Sequence, residues 1–247
     1  MLSHVTDAAR ARELVPTVLT FEPHPRQFFA DQNRRPELSP PHINGLRDKL
    51  SALSQAGIEQ VMLARFDQEF ADMSAQDFIE KLLINGLNAR WLIVGEDFRF
   101  GRQRSGDVAL LKKVGPQYGL DVHTLTEVKD QQGHRVSSSE VRATLAAGDL
   151  TRTQSLLGRP YAMTGHVVHG KKLGRTLNMP TLNMRVTPRC AARSGIYVVR
   201  VHGLAPQALP GVASLGVRPT VEDDGRILLE THLFDVNIDA YGKLIRV

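Results

Sequence analysis

Apolar and polar positions follow two rhythms along this chain, and the change falls near residue 160. Before it, short apolar runs alternate with stretches of helical period. Thr17-Val18-Leu19-Thr20-Phe21 predicts a strand, and Leu46, Leu50 and Leu53 then share one helix face. Val61-Met62-Leu63 predicts a second strand, followed by a helix that starts near Ser74, whose hydroxyl can cap it. Trp91 to Val94 predicts a third strand, and Val108 to Val114 a helix. Val122 to Leu125 predicts a fourth strand, with a helix from about Ser139 to Ala147 after it. Strand and helix in alternation predict a parallel sheet with helices on both faces.

After Leu157-Gly158-Arg159-Pro160 the helical period stops. Tyr161 to His169, Gly195 to His202, Gly211 to Leu215 and Leu228 to Phe234 predict strands, punctuated by Gly and Pro. That pattern predicts a small antiparallel barrel, with a domain junction at the Gly-Arg-Pro step. The chain opens in a helical stretch, with Leu2, Val5, Ala8 and Ala9 on one face. It closes at Ile245-Arg246-Val247, inside a strand-like run. Both ends therefore read as truncated, with a first strand expected to be missing at one end.

Composition changes this picture little. The 247 residues are 42% hydrophobic and 23% charged, as expected of a globular protein with room for two cores. Lys and Arg exceed Asp and Glu by 31 to 26, a mild basic excess that suits an anionic partner or simply a solvated surface. Aromatics make up 6% and do not interleave with the charges, which argues against nucleic acid as the partner. One cysteine, Cys190, excludes an intramolecular disulfide and suits a reducing cytoplasm. No apolar run approaches the roughly 18 residues of a membrane helix, so no membrane role is expected.

Three segments of the first half follow directly on predicted strands, where open parallel sheets bind ligands. In Phe21-Glu22-Pro23-His24-Pro25 two prolines fix the backbone around His24, which makes either a held site residue or a rigid loop with a solvated histidine. In Gly95-Glu96-Asp97-Phe98-Arg99-Phe100-Gly101, Phe98 and Phe100 can flank a planar ring, Asp97 can accept a hydrogen bond and Arg99 can meet a phosphate. Equally, the segment is a turn with two core aromatics. Ser137-Ser138-Ser139-Glu140-Val141-Arg142 opens a helix, so that amides, hydroxyls and Arg142 either receive phosphate or merely cap the helix.

In the second half, Gly165, His169, Gly170, Lys171, Gly174 and Arg175 form a glycine-rich basic stretch that can cradle phosphate. Next comes Met179-Pro180-Thr181-Leu182-Asn183. Thr181 and Asn183 stand two apart on an extended segment and so point the same way, as hard oxygen donors suited to Mg²⁺ held against ATP phosphates, or as ordinary polar residues at a strand start. In Leu228 to Phe234, alternation sets Glu230 with His232 and Phe234, opposite Leu229, Thr231 and Leu233. A carboxylate there can take the proton of an attacking alcohol, or simply face solvent.

Taken together, these motifs resemble the bacterial bifunctional riboflavin kinases/FMN adenylyltransferases (FAD synthetases). The resemblance implies a Rossmann-like nucleotidyltransferase domain over residues 1–157 and a six-stranded riboflavin kinase β-barrel over 158–247. The first joins FMN and ATP to give FAD, and the second makes FMN from riboflavin with MgATP. The partners implied are small molecules alone: riboflavin, FMN and ATP. By resemblance His24, Asp97, Phe98, Arg99 and Phe100 line a flavin or nucleotide cleft, and Ser137, Ser138, Ser139 and Arg142 bind phosphate. In the same way Thr181 and Asn183 hold Mg²⁺–ATP and Glu230 is the general base. Ser139 stands for the family's Thr, Leu182 for its Ala and Asn178 for its Gly; Gly216 to Thr220 and Asp235 to Gly242 also match family segments. The family's His-x-Gly-His occurs nowhere in the 247 residues, and its long helix beyond the Tyr241-Gly242 segment has no counterpart. The expectation is therefore a kinase with little adenylylation, or a catalytically inactive flavin- or nucleotide-binding fragment.

Overall fold

The computed structural model describes residues 1–126, 128–130, 133–169, 180–187, 189–217, 227–236 and 238–247. The chain divides into two compact units. The first comprises Met1–Pro40 with Ala52–Arg135, and the second Pro41–Ser51 with Val136–Val247.

The first unit begins with α1 (Leu2–Arg12), which buries Ala9. Then follow β1 (Thr17–Glu22), α2 (Pro25–Gln32) and α3 (Leu46–Gln55), whose residues up to Ser51 group with the second unit. β2 (Gln60–Arg65), α4 (Gln68–Asp72) and α5 (Ala75–Asp77) come next, and α5 runs on into a wider π-helical stretch, Phe78–Gly86. Ser74 caps α5 as expected, its hydroxyl accepting from the Asp77 amide at 3.0 Å. β3 (Trp91–Gly95), the short pair β4 (Arg99–Phe100) and β5 (Gly106–Asp107), α6 (Val108–Val114) and β6 (Asp121–Leu125) complete it.

All four predicted strands are present and their pairing is parallel, but not in one ladder. β1 pairs with β2 and β3 with β6, as two separate two-stranded sheets. One apolar core nonetheless serves both. Phe78, Ile79, Leu82 and Leu83 from the π-helical stretch pack with Val94, Phe100, Leu111 and Leu120, and Leu19, Phe21 and Met62 lean on the same cluster.

In the second unit, α7 (Ser138–Ala147) and α8 (Leu150–Leu157) bury Val141, Leu145 and Leu156 against Ala191. The segment before α3 is held here by Tyr161, whose hydroxyl donates to the Ile43 carbonyl at 2.8 Å, and the first turn of α3 by the Thr164 amide, which donates to Asp48. Burial pushes the Tyr161 hydroxyl well above the usual phenol range, so it stays a donor.

Six strands then form one curled antiparallel sheet: β7 (Thr164–Val168), β8 (Thr181–Arg185), β9 (Gly195–Val201), β10 (Leu209–Val217), β11 (Ile227–Leu233) and β12 (Leu244–Arg246). Their order is β12-β7-β8-β11-β10-β9. Among the described residues the two edges meet at one bridge, His202 to Arg246, so the expected barrel is a half-barrel pinned at one end. Its concave side holds Val167, Met184, Val201, Ala213, Leu215, Leu229, Leu233 and Ile245. Alternation sorts the faces: inward-pointing side chains bury one, and the other carries polar residues together with the exposed Ile196 and Val198 of β9.

Candidate functional site

The outer face of this sheet collects the polar residues that the sequence singles out. In the β8–β11 ladder Asn183 lies directly opposite Glu230, and Thr181 directly opposite His232. Side chains directly opposed on one face stand about 5 Å apart at Cβ, so the four make a compact rectangle. The next strand extends both rows, since Ser214 on β10 faces Glu230 and Val212 faces His232. Leu229, Thr231 and Leu233 are buried on the other side, as alternation predicts.

Within the rectangle the backbone is held by side chains. The Asn183 Nδ2 donates to the Thr181 carbonyl at 3.3 Å, which turns the amide oxygen, a hard donor, away from that contact. Asn183 is only 4% exposed, so its orientation is set by its surroundings rather than by solvent. The His232 Nδ1 meets the Pro180 carbonyl at 3.0 Å. Thr181, Asn183 and Glu230 thus supply a hydroxyl, an amide oxygen and a carboxylate on two adjacent strands. Among the described residues there is no cluster of three or more His, Cys, Asp or Glu that could cage a metal. This donor set instead fits a cation that keeps waters and takes substrate phosphates, as Mg²⁺ does.

The glycine-rich stretch is divided. Gly165 lies in β7, opposite Ile245, where a Cβ would come 2.7 Å from Met184 Cγ, so its lack of side chain is accounted for by core packing. His169 is described, its ring 4.0 Å from that of Tyr241. Gly170, Lys171, Gly174 and Arg175 lie outside the described residues, as do Arg218, Pro219 and Thr220.

The three segments of the first half fall into different units. His24 and the Asp97 loop belong to the first, Ser137 to Arg142 to the second. His24 is the N-cap of α2, with Nδ1 accepting from the Arg26 amide at 3.2 Å and Pro25 in the first turn. The loop after β3 leaves Asp97 exposed and ties Arg99 to Asp107 at 3.0 Å. Phe98 and Phe100 stack on one another at 5.6 Å, and Phe100 is buried 4.8 Å from Phe78. Phe98 leans half-buried on the same apolar cluster. Ser137 caps α7, accepting from Glu140, while Ser138 and Ser139 stay exposed in the first turn. The Arg142 Nε donates to the Pro41 carbonyl at 2.7 Å.

Gly101, which ends the Asp97 loop, has φ 71° and ψ 171°, a region open to glycine almost alone. A Cβ there would stand 2.7 Å from the Ala75 backbone nitrogen. Gly101→Ala should therefore lower stability by roughly 1–3 kcal/mol, read as a shift of the urea midpoint.

His232 and Ser214 join this face without belonging to a motif that the sequence singles out as a site. The alternation around Glu230 already placed His232 on the correct face; Ser214 needed the β10–β11 register.

Comparison with known proteins gives two family models end to end. The FAD synthetase model matches residues 1–140, and the riboflavin kinase model residues 157–247. A bifunctional riboflavin kinase/FMN adenylyltransferase of Escherichia coli K12 is 43% identical over the whole chain, which covers 77% of that relative. The Haemophilus influenzae protein of the same name is 38% identical, with 100% of this chain and 78% of the relative covered. A crystal structure described as a macrolide-efflux protein from Streptococcus pneumoniae superposes with a TM-score of 0.76 at 29% identity, over 99% of this chain and 77% of that one. Among the described residues, no helix here is long and apolar enough to cross a membrane.

Proposed function

This chain belongs to the bifunctional riboflavin kinase/FMN adenylyltransferase family, and we propose that its curled sheet carries out the kinase step, transferring the terminal phosphoryl group of ATP to riboflavin to give FMN. The observation that carries this reading is the register that sets Glu230 opposite Asn183, with Thr181 two residues along the same face.

Glu230 accepts the proton of the ribityl 5′-hydroxyl as that oxygen attacks the γ-phosphorus. The bond to the β-phosphate oxygen breaks, and ADP leaves with the electron pair. The Thr181 hydroxyl and the Asn183 amide oxygen would hold Mg²⁺, which neutralises charge on the phosphates when bound. By the family resemblance the stretch 170–175, with Gly170, Lys171, Gly174 and Arg175, would serve the same phosphates. The inner face of the sheet supplies rigidity: Leu229, Thr231 and Leu233 fix the strand, so Glu230 keeps its direction.

The first unit and the Ser137–Arg142 segment are proposed for the second step, in which an FMN phosphate oxygen attacks the α-phosphorus of ATP and pyrophosphate departs. By the family resemblance His24 and Asp97 in the first unit, and Ser139 and Arg142 in the second, are the residues proposed to serve this step. The lone cysteine suits a reducing compartment, and we place this chemistry in the cytoplasm.

The test is incubation of the folded chain with riboflavin and MgATP, with flavins separated by liquid chromatography. FMN should form at enzymatic rates and disappear when Mg²⁺ is chelated. A folded chain that binds flavin yet makes no FMN would leave only a binding protein and sink the kinase assignment.

A further inference from the structure

We propose that His232 is a positioning residue for MgATP, holding the backbone at Pro180 so that the Thr181 oxygen stays aligned with Glu230. The inference rests on the kinase reading above for the role of Thr181, and on geometry for the rest.

The entry of β8 is a weak point of the sheet. Pro180 has no N–H to give to a ladder, and the β8–β11 pairing ends at Thr181↔His232. At that step the Pro180 carbonyl takes its hydrogen bond from a side chain, the His232 Nδ1 at 3.0 Å. A carbonyl only accepts, so Nδ1 carries the hydrogen. The next carbonyl, that of Thr181, takes one from the Asn183 amide. Two successive peptide groups flanking the Thr181 side chain are therefore held from the same face, one across the strand gap and one along it.

His232 is well placed for this. It sits two residues from Glu230 on the same strand face and directly opposite Thr181. Its ring leans edge-on towards Phe234, 6.2 Å between centroids, which limits its swing. The tie thus links the strand that bears the base to the segment that bears the metal-facing oxygens. Without it, the first peptide of β8 has no cross-strand restraint from proline, and Thr181 drifts relative to Asn183.

The test uses the whole chain with His232→Phe, which keeps a ring but no donor, and His232→Asn, whose amide nitrogen can donate to the same carbonyl. Calorimetric titration is run with MgATP and, separately, with ATP in chelator. His232→Phe should weaken MgATP about fivefold, the worth of one such hydrogen bond, with metal-free ATP unchanged. His232→Asn should bring the affinity back to within twofold of wild type. In turnover, the KM for MgATP should rise by the same factor in His232→Phe while that for riboflavin holds. The inference is overturned by a His232→Phe protein that binds MgATP like wild type. Equal weakening of MgATP and metal-free ATP, or no recovery in His232→Asn, overturns it as well. Because binding is read without turnover, a wild type that forms no FMN ends the kinase reading alone. A wild type that gains no ATP affinity from Mg²⁺ ends this one.

Discussion

Glu230→Gln should form FMN about 100- to 10,000-fold more slowly than wild type, with the KM for riboflavin changed by less than about threefold. The substitution exchanges one carboxylate oxygen for an amide nitrogen and alters nothing else in shape. The strand around it is fixed by Leu229, Thr231 and Leu233 on the buried side. Its cross-strand neighbours, Asn183 and Ser214, can each hydrogen-bond an amide as readily as a carboxylate, so the fold should be unaffected. What the amide cannot do is take a proton as the alcohol oxygen bonds to phosphorus. The loss should therefore fall on kcat and kcat/KM together, which single-turnover mixing with chromatographic detection of FMN would show. A variant within threefold of wild type in kcat would remove Glu230 from the role of base. Because Asn183 and Thr181 are held by contacts of their own, the metal-dependent part of ATP binding should survive in this variant.

The half of this site that was legible in the sequence is the part set by local alternation. Leu-Leu-Glu-Thr-His-Leu in β11 and Thr-Leu-Asn-Met in β8 each have a period of two, so the face of Glu230 and the common direction of Thr181 and Asn183 could be read directly. Their adjacency could not. β8 pairs with β11 and not with its successor β9, a non-local choice fixed by how the whole sheet curls. Helix α2 was missed for another reason. Two prolines around His24 read as a rigid loop, whereas Pro25 occupies the first helical turn, where its missing N–H costs nothing, and His24 caps it. Helix α8 escaped because polar residues fill most of it. Its inward anchor is Thr153, fully buried, donating to the Asp149 carbonyl and bonded to Thr144, and no hydrophobic period announces such an anchor. The single parallel sheet expected of the first half is two separate strand pairs around one core. Strand hydrophobicity predicts burial, which is present, but does not say which edges hydrogen-bond.

Arg142→Lys should slow FAD formation from FMN and excess MgATP by about 10- to 100-fold, with FMN formation from riboflavin intact. Adenylyl transfer develops charge on departing pyrophosphate, and preorganised donors there are worth roughly 100- to 1,000-fold each. By the family resemblance Arg142 and the serines at the start of α7 are the donors for that charge. The histidines of the first unit are committed elsewhere or placed differently. His123 stacks on Trp91 at 5.1 Å and bonds Asp121 at 2.7 Å, and His134 lies 3.7 Å from Asp130. His4 sits exposed on α1, and His24 uses Nδ1 to cap α2. None of them belongs to a pair spaced to clasp one phosphate. The measurement supplies FMN directly, so that a slow kinase step cannot mask the result, and follows FAD and pyrophosphate together. An Arg142→Lys protein that forms FAD within twofold of wild type would remove Arg142 from that role. Arg142 is half-buried at the start of α7, with its Nε on the Pro41 carbonyl. Arg142→Lys keeps the charge but loses the fork, so a drop in FAD formation with FMN formation intact would assign the phosphate to its guanidinium.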